Sequence, residues 1–218
     1  MNKKLKAVLI AVLVIVIGGA GFLGYEYVTQ KLTANEGIEL LTKGEYQKAY
    51  EAFEKAGSKK TILWTKQKND VMFYQAESLY QLKRYKDAVN VYDHIIDRKP
   101  QGRAYEWKAL CYVGLGQEEQ ALKVCEEGIR AVPSEGESYY AKYGILAKQK
   151  KYDEGLATIN EALKQNITTK KKELLFARIS LYEAKFDFKT AYRYAKEYVK
   201  LYPDDEKGKK EKTFLETR

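Results

Sequence analysis

The chain has 218 residues, of which 45% are hydrophobic and 32% are charged, and its formal net charge is +9. A chain of this length and hydrophobic content can bury a core, which excludes intrinsic disorder. Only 3 prolines accompany 19 tyrosines. Because proline inside a helix costs about 3 kcal/mol, the composition favours uninterrupted helices with aromatic packing, and the first prediction is an all-α fold.

The N-terminal segment is basic and then apolar. Lysines within the first six positions precede an uncharged run from Ala7 to Tyr25. As a helix with a rise of about 1.5 Å per residue, this run would reach roughly 28 Å, close to the ~30 Å hydrocarbon core of a bilayer. We therefore predict a basic cytoplasmic N-terminus at 1–6 and a transmembrane signal-anchor helix at 7–27. The positive-inside rule then places the rest of the chain on the extracytoplasmic side of a cell membrane.

A cleaved signal peptide is the alternative interpretation of the same segment. Its apolar region would run from Leu5 to Ile17, and Gly18, Gly19 and Ala20 would supply the cleavage site. The rest of the chain would then be secreted. The apolar run continues beyond this region, and its length favours the uncleaved anchor.

After residue 30, a degenerate unit returns about every 34 residues. An aromatic residue stands three positions before a small residue in four copies, at Tyr46 and Ala49, Tyr85 and Ala88, Tyr152 and Gly155, and Phe188 and Ala191. A further copy keeps the small residue Ala121 but has Glu118 in place of the ring. A period of this length is typical of stacked helical hairpins, none of which can bury its apolar face alone. The repeated small residues and rings are therefore predicted to be core, where two helices approach closely.

These copies resemble the tetratricopeptide repeat. In the first copy, Gly44, Tyr46 and Ala49 match the family's Gly-x-Tyr-x-x-Ala pattern, and an aromatic residue and an alanine follow at Phe53 and Ala56. The resemblance implies a right-handed superhelical α-solenoid of about five helix–turn–helix hairpins behind the N-terminal transmembrane helix. The predicted solenoid covers 30–203, with repeats at approximately 30–63, 69–101, 102–135, 136–169 and 172–205, and a polar capping helix or tail is expected at 204–218.

Two departures from the family pattern affect local geometry. Between Gly57 and Lys68 the spacing is longer than the family's, so the residues 62–64 either extend a loop or lengthen the next helix. Tyr143 occupies a site where the family prefers a small residue. The sequence therefore leaves the register of the first helix in the fourth hairpin open.

The resemblance also implies where a partner binds, because the first helices of successive hairpins line a concave groove in this family. When the family's repeat register is placed on this sequence, it assigns eleven residues to the face of that groove. They are Phe73, Tyr74, Glu77, Tyr80, Arg103, Glu106, Trp107, Leu110, Tyr140, Glu173 and Phe176. Trp107 and Tyr74 are the best anchors, since aromatic side chains supply large contact area at low entropic cost. The alternative is that these rings pack between hairpins or against the N-terminal helix, because a register slip of one residue turns each by about 100°.

Some members of the family hold the C-terminal carboxylate of chaperones with lysine and asparagine at fixed positions of the first helices. Those positions are occupied here by Ala34, Ile38, Tyr74 and Trp107, and only Arg103 is basic. That activity is not implied.

Catalytic chemistry is not evident in the sequence. His94 is the only histidine, and there is no glycine-rich phosphate loop, serine nucleophile elbow or metal-ligand cluster. Cys111 and Cys125 are too few and too widely spaced for a zinc site, so reduced core cysteines are expected, with one disulfide as the alternative. We predict a protein that is not an enzyme and needs no cofactor or metal.

The leading functional prediction is a membrane-anchored adaptor or scaffold that binds a protein or peptide segment in an aromatic groove outside the membrane. The alternative is a surface protein that binds an anionic polymer or lipid headgroups through its lysine-rich faces, which the positive net charge favours. Nucleic acid is not expected as a partner because the basic residues are dispersed. The abundance of lysine, tyrosine and isoleucine suggests a bacterial protein, and the oligomeric state is left open.

Overall fold

A computed structural model describes the backbone of residues 3–58 and 65–218 and the side chains of residues 18–58 and 69–218. Within these ranges every regular element is an α-helix, as predicted. The helices are α1 (Lys3–Thr42), α2 (Tyr46–Ser58), α3 (Thr65–Gln81), α4 (Tyr85–Arg98), α5 (Gly102–Gly114), α6 (Glu118–Ala131), α7 (Glu137–Lys148), α8 (Tyr152–Lys164), α9 (Lys171–Ala184), α10 (Phe188–Leu201) and α11 (Glu206–Glu216). The chain divides into two compact units, Met1–Val91 and Tyr92–Arg218, with the boundary inside α4.

In the first unit, α2 packs against α1 and against α3. The core of this unit is formed by Ala34, Ala49, Phe53, Ala56 and Val71. Phe53 is fully buried, and short alanine side chains lie on either side of it in sequence. The pattern of one ring flanked by small residues lets the helices approach closely.

In the second unit, consecutive helices form the hairpins α5–α6, α7–α8 and α9–α10, and α11 packs against α10. The first helices of the hairpins are neighbours, since α5 contacts α7 and α7 contacts α9. One core cluster is built around Tyr105, Ala121 and Cys125, and a second is built around Tyr139 and Ile159. Both cysteines are buried and free, and burial raises the pKa of each thiol to about 12, so both stay protonated and unreactive at neutral pH.

The five turns inside the hairpins share one geometry. Each contains a residue with a positive φ, and these residues are Gly44 (78°), Lys83 (59°), Gly116 (73°), Lys150 (60°) and Phe186 (61°). In the fourth turn the Lys150 N–H donates to the Ala147 carbonyl at 3.0 Å, and the Lys151 N–H donates to the Leu146 carbonyl at 2.9 Å. The other turns repeat this pair of bonds, which is the Schellman motif that satisfies the last carbonyls of a helix. Each second helix consequently starts two residues after the left-handed one.

The repeated small residues are core, as predicted. Ala49, Ala88, Ala121 and Ala191 are fully buried, and Gly155 is also buried. Among the rings of the repeated units, Phe53, Tyr92 and Tyr198 are buried, whereas Tyr46, Tyr85, Tyr152 and Phe188 are half-buried. The half-buried rings are the first residues of their helices, beside the exposed turns, which explains their partial exposure.

The predicted membrane anchor falls mainly on residues 7–17, whose side chains lie outside the described residues. Among the residues that the structure describes, no helix has a stretch long and apolar enough to cross a membrane. The residues 62–64 also lie outside the described part of the chain. The following helix, α3, starts at Thr65 and has 17 residues, so it is longer than α5, which has 13.

Candidate partner-binding groove

In the first unit, the residues predicted to face a groove take part mainly in packing. Phe73 is only 5% exposed, which corrects the prediction that its ring faces a partner. Tyr74 is half-buried, and its ring stacks on Phe53 with the centroids 5.5 Å apart. Tyr80 is half-buried edge-on to Tyr85, with the centroids 5.3 Å apart. Glu77 is half-buried.

In the second unit, the four residues predicted from α5 line one cavity of about 300 Å³. They are Arg103, Glu106, Trp107 and Leu110. Two residues from later in the chain complete the cavity, namely Glu137 in the first turn of α7 and Lys170 just before α9. This cavity therefore brings together residues from three successive hairpins.

Lys170 connects this first cavity to the next part of the surface. Its Nζ lies 3.7 Å from Glu106 Oε1 and 5.2 Å from the ring centroid of Tyr140. Burial raises the pKa of the Glu106 carboxyl, and the neighbouring Lys170 opposes that shift. Lys170 also has a left-handed backbone with φ 56°, at the position that precedes α9.

A second cavity of about 340 Å³ lies along α7, α9 and the start of α11. Three of the predicted residues line it, namely Tyr140, Glu173 and Phe176. Aromatic rings form part of its wall. Tyr140 lies 5.4 Å from Tyr143 between centroids, and Phe176 lies edge-on to Tyr198 at 5.5 Å. Because Tyr140 belongs to this cavity and contacts Lys170 of the first one, the two cavities adjoin.

Comparison with known proteins agrees with this architecture. The sequence model of the Tetratricopeptide repeat family matches residues 35–103 and again 73–136. This chain is a tetratricopeptide repeat (TPR) protein. Among solved structures, a thermophilic TPR protein of Thermus thermophilus superimposes with a TM-score of 0.60 at 19% identity, over 87% of this chain and 100% of the other. YrrB, described as a TPR protein with an unusual peptide-binding site, gives 0.51 at 15% identity over 83% and 90% of the two chains. At such identities the likeness shows a shared fold.

A curated relative matches a shorter stretch of this TPR protein. Hsp70-Hsp90 organizing protein 3 of Arabidopsis thaliana is 33% identical over 93 residues, which are 42% of this chain and 17% of the relative. The TPR protein thus spans less than a fifth of that relative's length.

Several cavity residues of this TPR protein escaped the prediction. Tyr143 lines the second cavity, and its departure from the family pattern was the available signal. Lys172, Asp205 and Lys207 also line it, and two of these come from the region of α11. A sequence pattern based on the repeat has no position for them, because α11 lies after the last copy.

Asp205 fixes the C-terminal edge of the second cavity. Its Oδ1 accepts a hydrogen bond from the Gly208 N–H at 2.7 Å, which caps α11, and its Oδ2 lies 2.5 Å from Lys172 Nζ in α9. The hydrogen bond with Lys172 and then that with the Gly208 N–H lower the pKa of Asp205. Burial and the Asp205 charge raise the pKa of Tyr198 to about 12. The described residues include no group of side chains arranged to hold a metal ion.

Proposed function

We propose that this TPR protein is an adaptor that binds a protein or peptide segment along α5, α7 and α9. The observation that carries the proposal is the pair of adjoining cavities, which are lined by residues of successive first helices. TPR proteins bind protein or peptide partners, and a segment of chain matches a surface extended over several hairpins better than a compact small molecule does.

The side chains of these cavities have the character of a protein interface. Trp107, Tyr140 and Phe176 supply aromatic area, and Arg103 supplies an exposed guanidinium. Tryptophan, tyrosine and arginine are the residue types that most often dominate binding energy. We expect Trp107 and Phe176 to be the anchors, one in each cavity.

The relatives called Hsp70-Hsp90 organizing proteins carry the names of chaperones. In this chain Ala34 is buried, and Tyr74 and Trp107 offer no cation at the positions with which such family members hold a carboxylate. Chaperone binding is therefore not part of the proposal.

The proposed setting is the outer face of a cell membrane, with residues 7–27 as the anchor. The uncharged run from Ala7 to Tyr25 after a lysine-rich start supports this placement. Protease added to intact cells should digest the repeats while a tag at the N-terminus stays protected. Complete protection of the repeats would contradict the outward orientation, and release of untethered repeats into the medium would support the secreted alternative.

A peptide selection tests the binding function. The full-length protein in detergent is used to select from a random-peptide library, and the affinity of the enriched peptides is measured. Trp107→Ala or Phe176→Ala should weaken binding by about tenfold or more, because a buried aromatic anchor contributes strongly. Phe214→Ala is the matched control, since this exposed ring of α11 lines neither cavity, and it should change affinity by less than about twofold. Failure to enrich any peptide would overturn the proposal.

A second candidate function is binding of an anionic polymer or lipid surface, and α10 is the observation that favours it. Lys189, Arg193, Lys196 and Lys200 are all exposed, and their spacing puts them on one face of the helix. Binding through this face should fall steeply as salt rises, whereas binding through aromatic anchors should largely survive. The two functions are separated by measuring how the wild type and the double variant Lys189→Gln, Lys196→Gln bind to vesicles with and without anionic lipid.

A further inference from the structure

The second cavity holds two lysines in different electrostatic situations. Lys172 is paired with Asp205, with 2.5 Å between Nζ and Oδ2. Lys207 lies with Nζ 4.1 Å from the ring centroid of Phe176, and none of the carboxylates that the structure describes forms an ion pair with it. The cavity therefore presents one lysine that is paired with a carboxylate and one lysine that lies over a ring and forms no ion pair among the described residues.

The position of Lys207 is fixed by the docking of α11. Asp205 caps the helix and ties it to α9 through Lys172. Gly208 allows the close approach of α11 to α10, since a Cβ there would clash with Cε1 of Tyr198. Leu215 anchors the other end of the helix and is 3% exposed. Lys207 is thus carried on a docked helix and not on a loose tail.

An ammonium group over an aromatic ring gains from the ring's negative face but keeps its full charge. A carboxylate that approaches such a lysine forms a charge-assisted hydrogen bond, which is stronger where surrounding side chains exclude water. The neighbouring rings of Tyr143 and Phe176 favour an apolar side chain beside that carboxylate.

We propose that α11 is part of the binding site and that Lys207 pairs with an acidic side chain of the bound segment. An aromatic or aliphatic side chain of the same segment lies between Tyr143 and Phe176. This assignment rests on the proposed function, because it names the chemistry of the partner that the groove takes.

A charge-reversal selection tests the assignment. The full-length protein selects from a random-peptide library whose peptides are fused at their C-termini, so that any carboxylate recognised belongs to a side chain. The wild type should enrich aspartate or glutamate next to an aromatic or aliphatic residue. Lys207→Glu should replace this preference with lysine or arginine. Lys210→Glu, on the same helix and exposed, is the matched control and should keep the acidic preference.

A double-mutant cycle with one enriched peptide gives the quantitative test. Changing the acidic residue of the peptide to its amide should weaken binding to the wild type by about tenfold and should have little effect on Lys207→Gln. Circular dichroism of both Lys207 variants checks that α11 remains folded.

The outcomes are distinguishable. Absence of any enrichment by the wild type would overturn both the proposed function and this assignment. Enrichment without an acidic preference, or an acidic preference that Lys207→Glu retains, would overturn the assignment alone. Loss of binding to anionic vesicles in Lys207→Gln without any acidic preference in the peptides would replace the acidic segment with a lipid surface.

Discussion

The Glu135 carboxylate accepts a hydrogen bond from the backbone N–H of Gly102 at 2.6 Å, across 33 residues of sequence. One repeat later the Gly136 N–H donates to Oγ1 of Thr169 at 2.8 Å, again across 33 residues. Equivalent positions in successive repeats therefore form equivalent hydrogen bonds. The repeat period is visible in these polar contacts as well as in the buried apolar residues. Gly102 is the first residue of α5, where a negative charge is also favoured by the helix dipole.

Removal of the Glu135 carboxylate should destabilise the second unit. Glu135→Ala leaves the buried N–H of Gly102 without its partner, which costs about 1–3 kcal/mol in the free energy of unfolding. Urea denaturation measures the change. Glu161→Ala, at an exposed position of α8, should stay within about 0.5 kcal/mol of the wild type. Equal effects of the two substitutions would contradict a specific role for the bond.

Because the hairpin turns share one geometry, replacing a side chain by glycine and replacing a glycine by alanine at the left-handed position should have opposite effects on stability. Lys150→Gly should stabilise the protein by up to about 1 kcal/mol, because it relieves a left-handed side-chain conformation while adding some flexibility to the unfolded chain. Gly116→Ala should destabilise by about 1 kcal/mol, and this substitution is clean because a Cβ there meets nothing within 4 Å. Thermal unfolding reports both. A lower melting temperature for Lys150→Gly would show that its side chain makes a contact worth more than the strain.

The docking of α11 depends on the absence of a side chain at Gly208. Gly208→Ala should cost about 1–3 kcal/mol or release α11, because the new Cβ meets the Tyr198 ring. Hydrogen exchange of α11 measures the release. Gly144→Ala is the matched control, since Gly144 lies inside α7 with nothing within 4 Å of an added Cβ, and it should stabilise by about 0.5–1 kcal/mol. Unchanged protection of α11 in Gly208→Ala would contradict the close packing.

The contact between α9 and α11 should respond to pH near neutrality. Burial, and then a hydrogen bond with Glu211, raise the pKa of Glu183 from 4.5 to about 7. Between these two values the folded protein binds more protons at this site than the unfolded chain, so the free energy of unfolding falls as pH rises from about 4.5 to about 7. Urea denaturation across this range should show the fall, and Glu183→Gln should flatten it. Glu119→Gln, on the exposed surface of α6, should leave the pH profile unchanged.

The fold was predictable from local pattern, whereas the site was predictable only in part. The buried small residues and the start of each second helix follow from periodicity, because close helix packing and the left-handed turn recur in every copy. Phe73 is buried, although the repeat register assigned it to the groove face. A shift of one residue in that register turns a side chain by about 100°, so the sequence left both a groove position and a packing position open. Asp205 and Lys207 could not be assigned, since their place in the groove depends on tertiary docking of α11.

Site-specific photo-crosslinking tests the central claim, that the partner segment binds along the first helices of the second unit. A photoreactive residue is placed at Leu110 or Ser180 in the two cavities, or at the exposed positions Glu127 of α6 and Asn160 of α8. A peptide selected by the full-length protein should crosslink from Leu110 and Ser180 and not from the other two. Crosslinks from Glu127 and Asn160 with none from the cavities would contradict the groove and place the partner on the second helices.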